Sequence, residues 1–210
     1  MRCVTSAWQG WGQGALVRRR HIITHWDDMD KSTRFYEWIV RAEHSNDTQH
    51  LQLDKLTRPL RVGNVATPDS LDNMTIGQMV QLSECQDGRG MFYTICSVLL
   101  GMDKKAVDNC WAVDIVRFCG WVLGQVERIN SLFDKAKGKP TAEEIRAGVE
   151  QLKFGVFGLI DWYALRMGIT DHEEVTNVPW VRVYKCMQMD NEVKEFNKRL
   201  AKEYGNGHRG

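Results

Sequence analysis

Between Thr75 and Tyr204 apolar residues recur at three- and four-residue steps, in stretches separated by helix start and stop signals. The first stretch carries Ile76, Met79, Val80 and Leu82 behind Thr75, whose hydroxyl is placed to cap a short helix, and Asp87 to Gly90 closes it. Met91 to Leu100 is nearly all apolar and stops at Gly101, which predicts a helix inside a core, and Asp103 stands where an N-cap belongs for the next segment. Ala106 to Ala136 predicts one long helix with Ile115, Val116, Cys119, Leu123, Val126 and Ile129 on a single stripe. Gly120 and Gly124 lie in line on it, where small residues admit a close neighbour at about 1 kcal/mol each in helix propensity.

The pattern breaks at Lys137 to Pro140. Thr141-Ala-Glu-Glu144 then has the form of a capping box, and the helix it opens is expected to run through Val149, Leu152, Val156, Leu159 and Tyr163 to Gly168. Thr170-Asp-His-Glu173 repeats the box ahead of a short helix. Pro179 suits the first turn of a last helix whose stripe of Val183, Met187, Val193, Phe196 and Leu200 ends before the polar tail 205–210.

Upstream the pattern is weaker. Phe35, Trp38, Ile39 and Ala42 fit one helical face, whereas Leu51, Leu53 and the residues from Leu56 to Val62 suit short extended pieces around Pro59, so 29–66 is a segment of mixed structure. Residues 1–28, with Trp8-Gln-Gly-Trp-Gly-Gln-Gly14 followed by Arg18-Arg-Arg20, have neither period. They read as a disordered leader or as a start placed too far upstream of Met29. The fold class expected is therefore mainly α: a helical, bundle-like domain over 67–204 behind a mixed or partly disordered N-terminal segment. The break at 138–140 either separates sub-lobes 67–137 and 141–204 or interrupts one continuous core.

Composition narrows the function classes. Lys plus Arg total 28 against 27 for Asp plus Glu, so no global field draws the chain to nucleic acid or an anionic membrane. The most apolar run, Met91 to Met102, is too short to span a bilayer, and the N-terminus lacks a signal core, so no membrane association is expected. The six cysteines include no Cys-x-x-Cys pair, and four sit in apolar stretches. Reduced thiols in a cytoplasm are expected.

No spacing is built for catalysis. Nucleophile-elbow and P-loop motifs are missing, and His21, His25, Asp27 and Asp28 form a metal-like cluster only in a stretch without periodicity, so no enzyme, metal or cofactor is expected. Glu143, Glu144, Glu173 and Glu174 fall in helix first turns, where the dipole favours them. Asp161 and His172 are the polar residues left over for an enzyme. A helix-turn-helix DNA regulator across Ala164 to Tyr184, with Arg166, Arg182 and Lys185 on the phosphates, is the alternative, but its second helix would open with Asp171, Glu173 and Glu174 and meet phosphates with like charge. Trp111, Trp121, Trp162 and Trp180 suit core or edge-of-core positions. Trp180, Val183, Met187 and Met189, at the proline-set start of the last helix and in its thioether-rich run, are the candidate partner-binding residues.

Two stretches carry a family resemblance. The run from Thr67-Pro-Asp-Ser to Gln81-Leu82, the apolar helix ending at Gly101 and the long helix after it resemble the small helical proteins encoded just before the tape measure in tailed bacteriophages, the tail assembly chaperones. Asp161-Trp-Tyr-Ala-Leu-Arg-Met-Gly-Ile-Thr170, then Glu174 to Trp180 and a charged last helix, is similar to their C-terminal half. The resemblance covers about residues 67–204 and consists of apolar and turn positions without a chemical motif. It implies an all-α helper in the host bacterial cytoplasm that coats a helical tape measure protein during tail assembly; self-association is a separate partner expectation. An uncharacterised phage structural protein is the neighbouring alternative.

Overall fold

The computed structural model describes residues 32–44, 57–84, 88–138, 140–152 and 154–207. The leader 1–28, Leu51, Leu53 and the His21 cluster lie outside them. The architecture is mainly α, with one two-stranded antiparallel sheet among the described residues. These residues form two compact units, one ending at Ile129 and one beginning at Asn130. The division thus falls inside a helix, upstream of the expected break at 138–140, and the stretch after Ser32 belongs to the first unit.

In the first unit, α1 (Phe35–His44) buries Phe35, Trp38 and Ile39, one face of a helix. A hairpin follows, β1 (Arg61–Val62) and β2 (Val65–Ala66), joined by Gly63 and Asn64. Gly63 has φ +56°, and a Cβ there would stand 2.9 Å from the Cys110 Sγ, so both the turn and the close approach require glycine. The hairpin is held from outside by Arg58, whose guanidinium donates to the Thr67 and Pro68 carbonyls and pairs with Asp69 at 2.7 Å. The next helix, α2 (Ile76–Glu84), is capped by Thr75. Its hydroxyl accepts from the Gln78 N–H while the Gln78 amide accepts from the Thr75 N–H, a full capping box.

Next, α3 (Gly88–Leu100) begins before the expected Met91 and places Phe92, Ile95 and Cys96 inward. Phe92 meets Phe35 at 5.4 Å and the edge of Trp38 at 5.8 Å, giving an aromatic centre in which each pair adds about 0.5–1.5 kcal/mol beyond burial. The single long helix expected from Ala106 is instead two: α4 (Lys104–Asp108), capped by Asp103, and α5 (Ala112–Ala136). The cause is a long-range backbone pairing. Phe35 N–H donates to the Cys110 carbonyl at 2.9 Å and Ala112 N–H to the Thr33 carbonyl at 3.0 Å, so Cys110 to Ala112 serve a bridge rather than a helical ladder. Along α5 the buried stripe is wider than periodicity suggested: Phe118 and Val122 are fully buried, while Leu123 is only half-buried.

The second unit takes the end of α5 and adds α6 (Ala142–Arg146), a 3-10 turn (Val149–Gln151), α7 (Gly155–Met167), α8 (His172–Thr176) and α9 (Trp180–Gly207). The Thr141–Glu144 capping box forms, with Thr141 N–H donating to the Glu144 carboxylate at 2.7 Å. The helix it opens does not reach Tyr163. Gly148 at φ +80° and Gly155 at φ +58° leave the helical region, and the chain re-enters only at α7. The cap of α8 is Asp171, whose carboxylate accepts from Glu173 N–H at 2.9 Å, one residue later than the Thr170 box predicts. Phe133, Leu159, Tyr163, Val175, Trp180 and Val183 fill the core, with Phe133 against Trp180 and the edge of Tyr184.

Candidate partner-binding surface

The start of α9 is set by Pro179, whose carbonyl accepts the Arg182 N–H at 3.0 Å. Trp180, Val183 and Met187 then fall on one helical face and are 3, 0 and 4% exposed, so these three predicted partner-contact residues pack into their own unit's core. Met189, the fourth, is 57% exposed and points elsewhere. The structure therefore does not bring the four together on one surface.

After Met187 the character of α9 changes. Its contacts with its own unit become polar: Asp190 pairs with Arg166 of α7, the Asn191 carboxamide lies over Gly138, and Lys194 reaches Glu144 of α6 at 3.5 Å. At 100° per residue the opposite side carries Met189, Val193, Phe196 and Leu200, all exposed. The sequence holds the signal for this change of face. Val193 stands six residues after Met187, roughly 240° round the helix axis from the buried stripe, and four after Met189, in step with the exposed one.

On α7 the inner face buries Leu159, Ile160, Tyr163 and Ala164, while Phe157 and Leu165 lie outside, 60 and 76% exposed, with Phe154 just ahead of the helix also outside. Between them Asp161 meets His172 of α8, Oδ1 to Nε2 at 3.3 Å, and Phe157 abuts the imidazole edge at 5.1 Å. The two polar residues left over by sequence are thus neighbours. Both are nearly half exposed, and among the described residues no nucleophile or further acid hydrogen-bonds to either, so the pair fastens α8 to α7 and lacks the parts of a general-base relay.

The turn of a helix-turn-helix is present at Gly168, yet α8 has only five residues and an acidic first turn. Arg166, which that reading would lay on phosphate, is engaged by Asp190. Charge elsewhere is structural. Glu144 is held below the usual carboxylate range first by the Thr141 backbone N–H and then by Lys194, and burial raises the Asp114 carboxyl against the opposing pull of Arg117. Burial also raises the Cys119 thiol well up, so it is a poor nucleophile. Among the described residues no helix is long and apolar enough to cross a membrane. Comparison with protein families, with curated proteins and with solved structures finds no match for this chain.

Proposed function

We propose that this chain is a non-catalytic assembly helper that covers the apolar stripe of a helical partner, a phage tape measure protein in the reading that the resemblance to tail assembly chaperones implies. The observation that carries it is the outer face of α7, where Phe154, Phe157 and Leu165 are left in solvent on a helix whose inner face is fully packed. An exposed aromatic and aliphatic row on a fixed helix suits an amphipathic partner helix, whose own apolar stripe would aggregate if left bare. Phe157 rests against the edge of the His172 ring, which Asp161 in turn contacts, so this member of the row has a neighbour that limits its motion.

Co-expression with a tape measure protein, which this reading expects to be encoded by a very long helical reading frame next to this gene, tests the proposal. The tape measure protein should become more soluble and co-purify with the chain, and replacing Phe157 and Leu165 with Glu should remove both effects. No gain in solubility and no co-purification would sink it. A salt-dependent shift of duplex DNA, lost on charge reversal at Arg182 and Lys185, would replace it with the regulator reading.

A further inference from the structure

The outer stripe of α9 has a more regular spacing than that of α7. Met189, Val193, Phe196 and Leu200 are separated by four, three and four residues, the d and a positions of a heptad seam, while Cys186, one step earlier, is engaged by Arg166 of α7. These side chains are exposed and lie across the helix from Asn191 and Lys194, with Asp190 at the edge of the seam; these three polar residues hold this part of α9 to its own unit. The seam from Met189 to Glu203 is about 21 Å long, short for an isolated coiled coil. It is nevertheless continuous with a helix already fixed by Trp180, Val183 and Met187 in the core, so little of its ordering remains to be done on association.

We infer that this seam pairs with the same seam of a second copy, antiparallel, making the protein a two-fold symmetric dimer through α9. The flanking charges select this occupant and this direction. In an antiparallel pair that sets Val193 against the partner's Phe196 and Met189 against the partner's Leu200, Glu192 falls beside the partner's Arg199, and symmetry supplies the contact twice. Among the described residues neither Glu192 nor Arg199 makes a salt bridge within 4.0 Å in the chain, and Arg199 has only the attraction of Glu195 one turn earlier on the same helix. A parallel pair instead sets Glu192 beside the partner's Asn197 and Arg199 beside the partner's Tyr204, with no ion pair, and its remaining match of Lys185 with the partner's Asp190 would compete with Arg166. Glu203 ends the apolar row and sets the dimer's extent. None of the seam residues belongs to α7, so the dimer is tested apart from tape measure binding.

Sedimentation velocity of the full chain across a wide concentration range tests the inference. Mass should rise toward that of two chains, and Phe196→Glu should hold the protein monomeric while its circular dichroism melt stays unchanged. Glu192→Arg or Arg199→Glu alone should weaken the dimer roughly tenfold by replacing two attractions with two repulsions, and the double exchange should restore it. A monomer at every concentration, or a dimer indifferent to Phe196→Glu, overturns the proposal. Failure of the double exchange to rescue overturns the antiparallel pairing. A monomer whose capture of the tape measure protein is lost with Phe196→Glu assigns the stripe to that partner instead.

Discussion

The two units handle apolar surface in opposite ways. Up to Ile129 the only large apolar side chains left substantially exposed among the described residues are Tyr36, Leu60 and Trp111, and Trp111 is itself roofed by the Arg34 guanidinium 3.8 Å from its ring. From Asn130 onward there are ten, most of them in rows on the outer faces of α7 and α9. Isolated exposed apolar residues are ordinary on any protein, but rows on faces opposite a packed core are the mark of contacts yet to be made. The first unit is closed around its own aromatic centre, whereas the second keeps a core and, beyond it, surfaces that its own residues do not cover.

The largest effects should come from the closed unit. Phe92 is almost wholly buried between Phe35 and Trp38, so Phe92→Ala should cost about 3–5 kcal/mol in chemical denaturation followed by tryptophan fluorescence. A loss below about 1 kcal/mol would mean that the aromatic centre can collapse around the gap, and the contrast between the units would weaken. Gly63→Ala comes next. It combines a left-handed backbone with a Cβ 2.9 Å from Cys110 Sγ, whereas Gly101→Ala, at φ +65° with nothing within 4 Å, carries the backbone cost alone. We expect roughly 1 kcal/mol for Gly101→Ala and distinctly more for Gly63→Ala, and equal melting temperatures for the two variants would show that Cys110 simply moves aside.

The capping box supplies a smaller, pH-marked effect in the second unit. Thr141→Ala should cost about 1 kcal/mol by removing the hydroxyl that accepts the Glu144 N–H. Because the folded Glu144 carboxyl titrates below its ordinary range, its contribution is complete above that range and is lost as pH falls through the folded value. Glu144→Gln should therefore lower stability near neutrality, where the carboxylate's contribution is complete, and converge on the parent at acid pH, flattening the acid side of a profile measured by thermal melting. A variant profile that still declines as steeply as the parent's would assign the acid sensitivity to other carboxylates.

These outcomes bear on what the amino-acid order could reveal. Thr75, Asp103 and Thr141 announced their helices because a cap acts within three residues, and the α1 face was readable from Phe35, Trp38 and Ile39 for the same local reason. The interruption at Asn109 to Trp111 was not readable, because the groups that draw the backbone out of its ladder are Thr33 and Phe35, far away in sequence. Phe118 and Val122 were missed because a narrow stripe was assumed for a helix enclosed on a wider arc. Trp180, Val183 and Met187 have the aromatic and thioether chemistry of an anchor, but spacing continuous with the core packs them inward. Met189, two residues after Met187, starts a second stripe that Val193, Phe196 and Leu200 continue on the outward side of α9.

The smallest stability effect is the most informative about the contrast. Phe157→Ser and Leu165→Ser remove apolar surface that already lies in water, so each should change the unfolding free energy by no more than about 0.5 kcal/mol. Phe133→Ala, in the same unit but almost wholly buried, should cost several times that, about 3 kcal/mol or more. Side chains kept for a partner should separate the two readouts: the α7 variants should lose capture of the helical partner at full stability, whereas Phe133→Ala should lose stability first. Phe157 has one contact that tempers this expectation, the edge of the His172 ring, so Phe157→Ser should loosen α8 slightly while Leu165→Ser should not. Hydrogen exchange across His172–Thr176 reads that difference directly. If both substitutions instead lowered the melting temperature as much as Phe133→Ala, the outer face of α7 would be part of the fold's own packing, and the second unit would be as closed as the first.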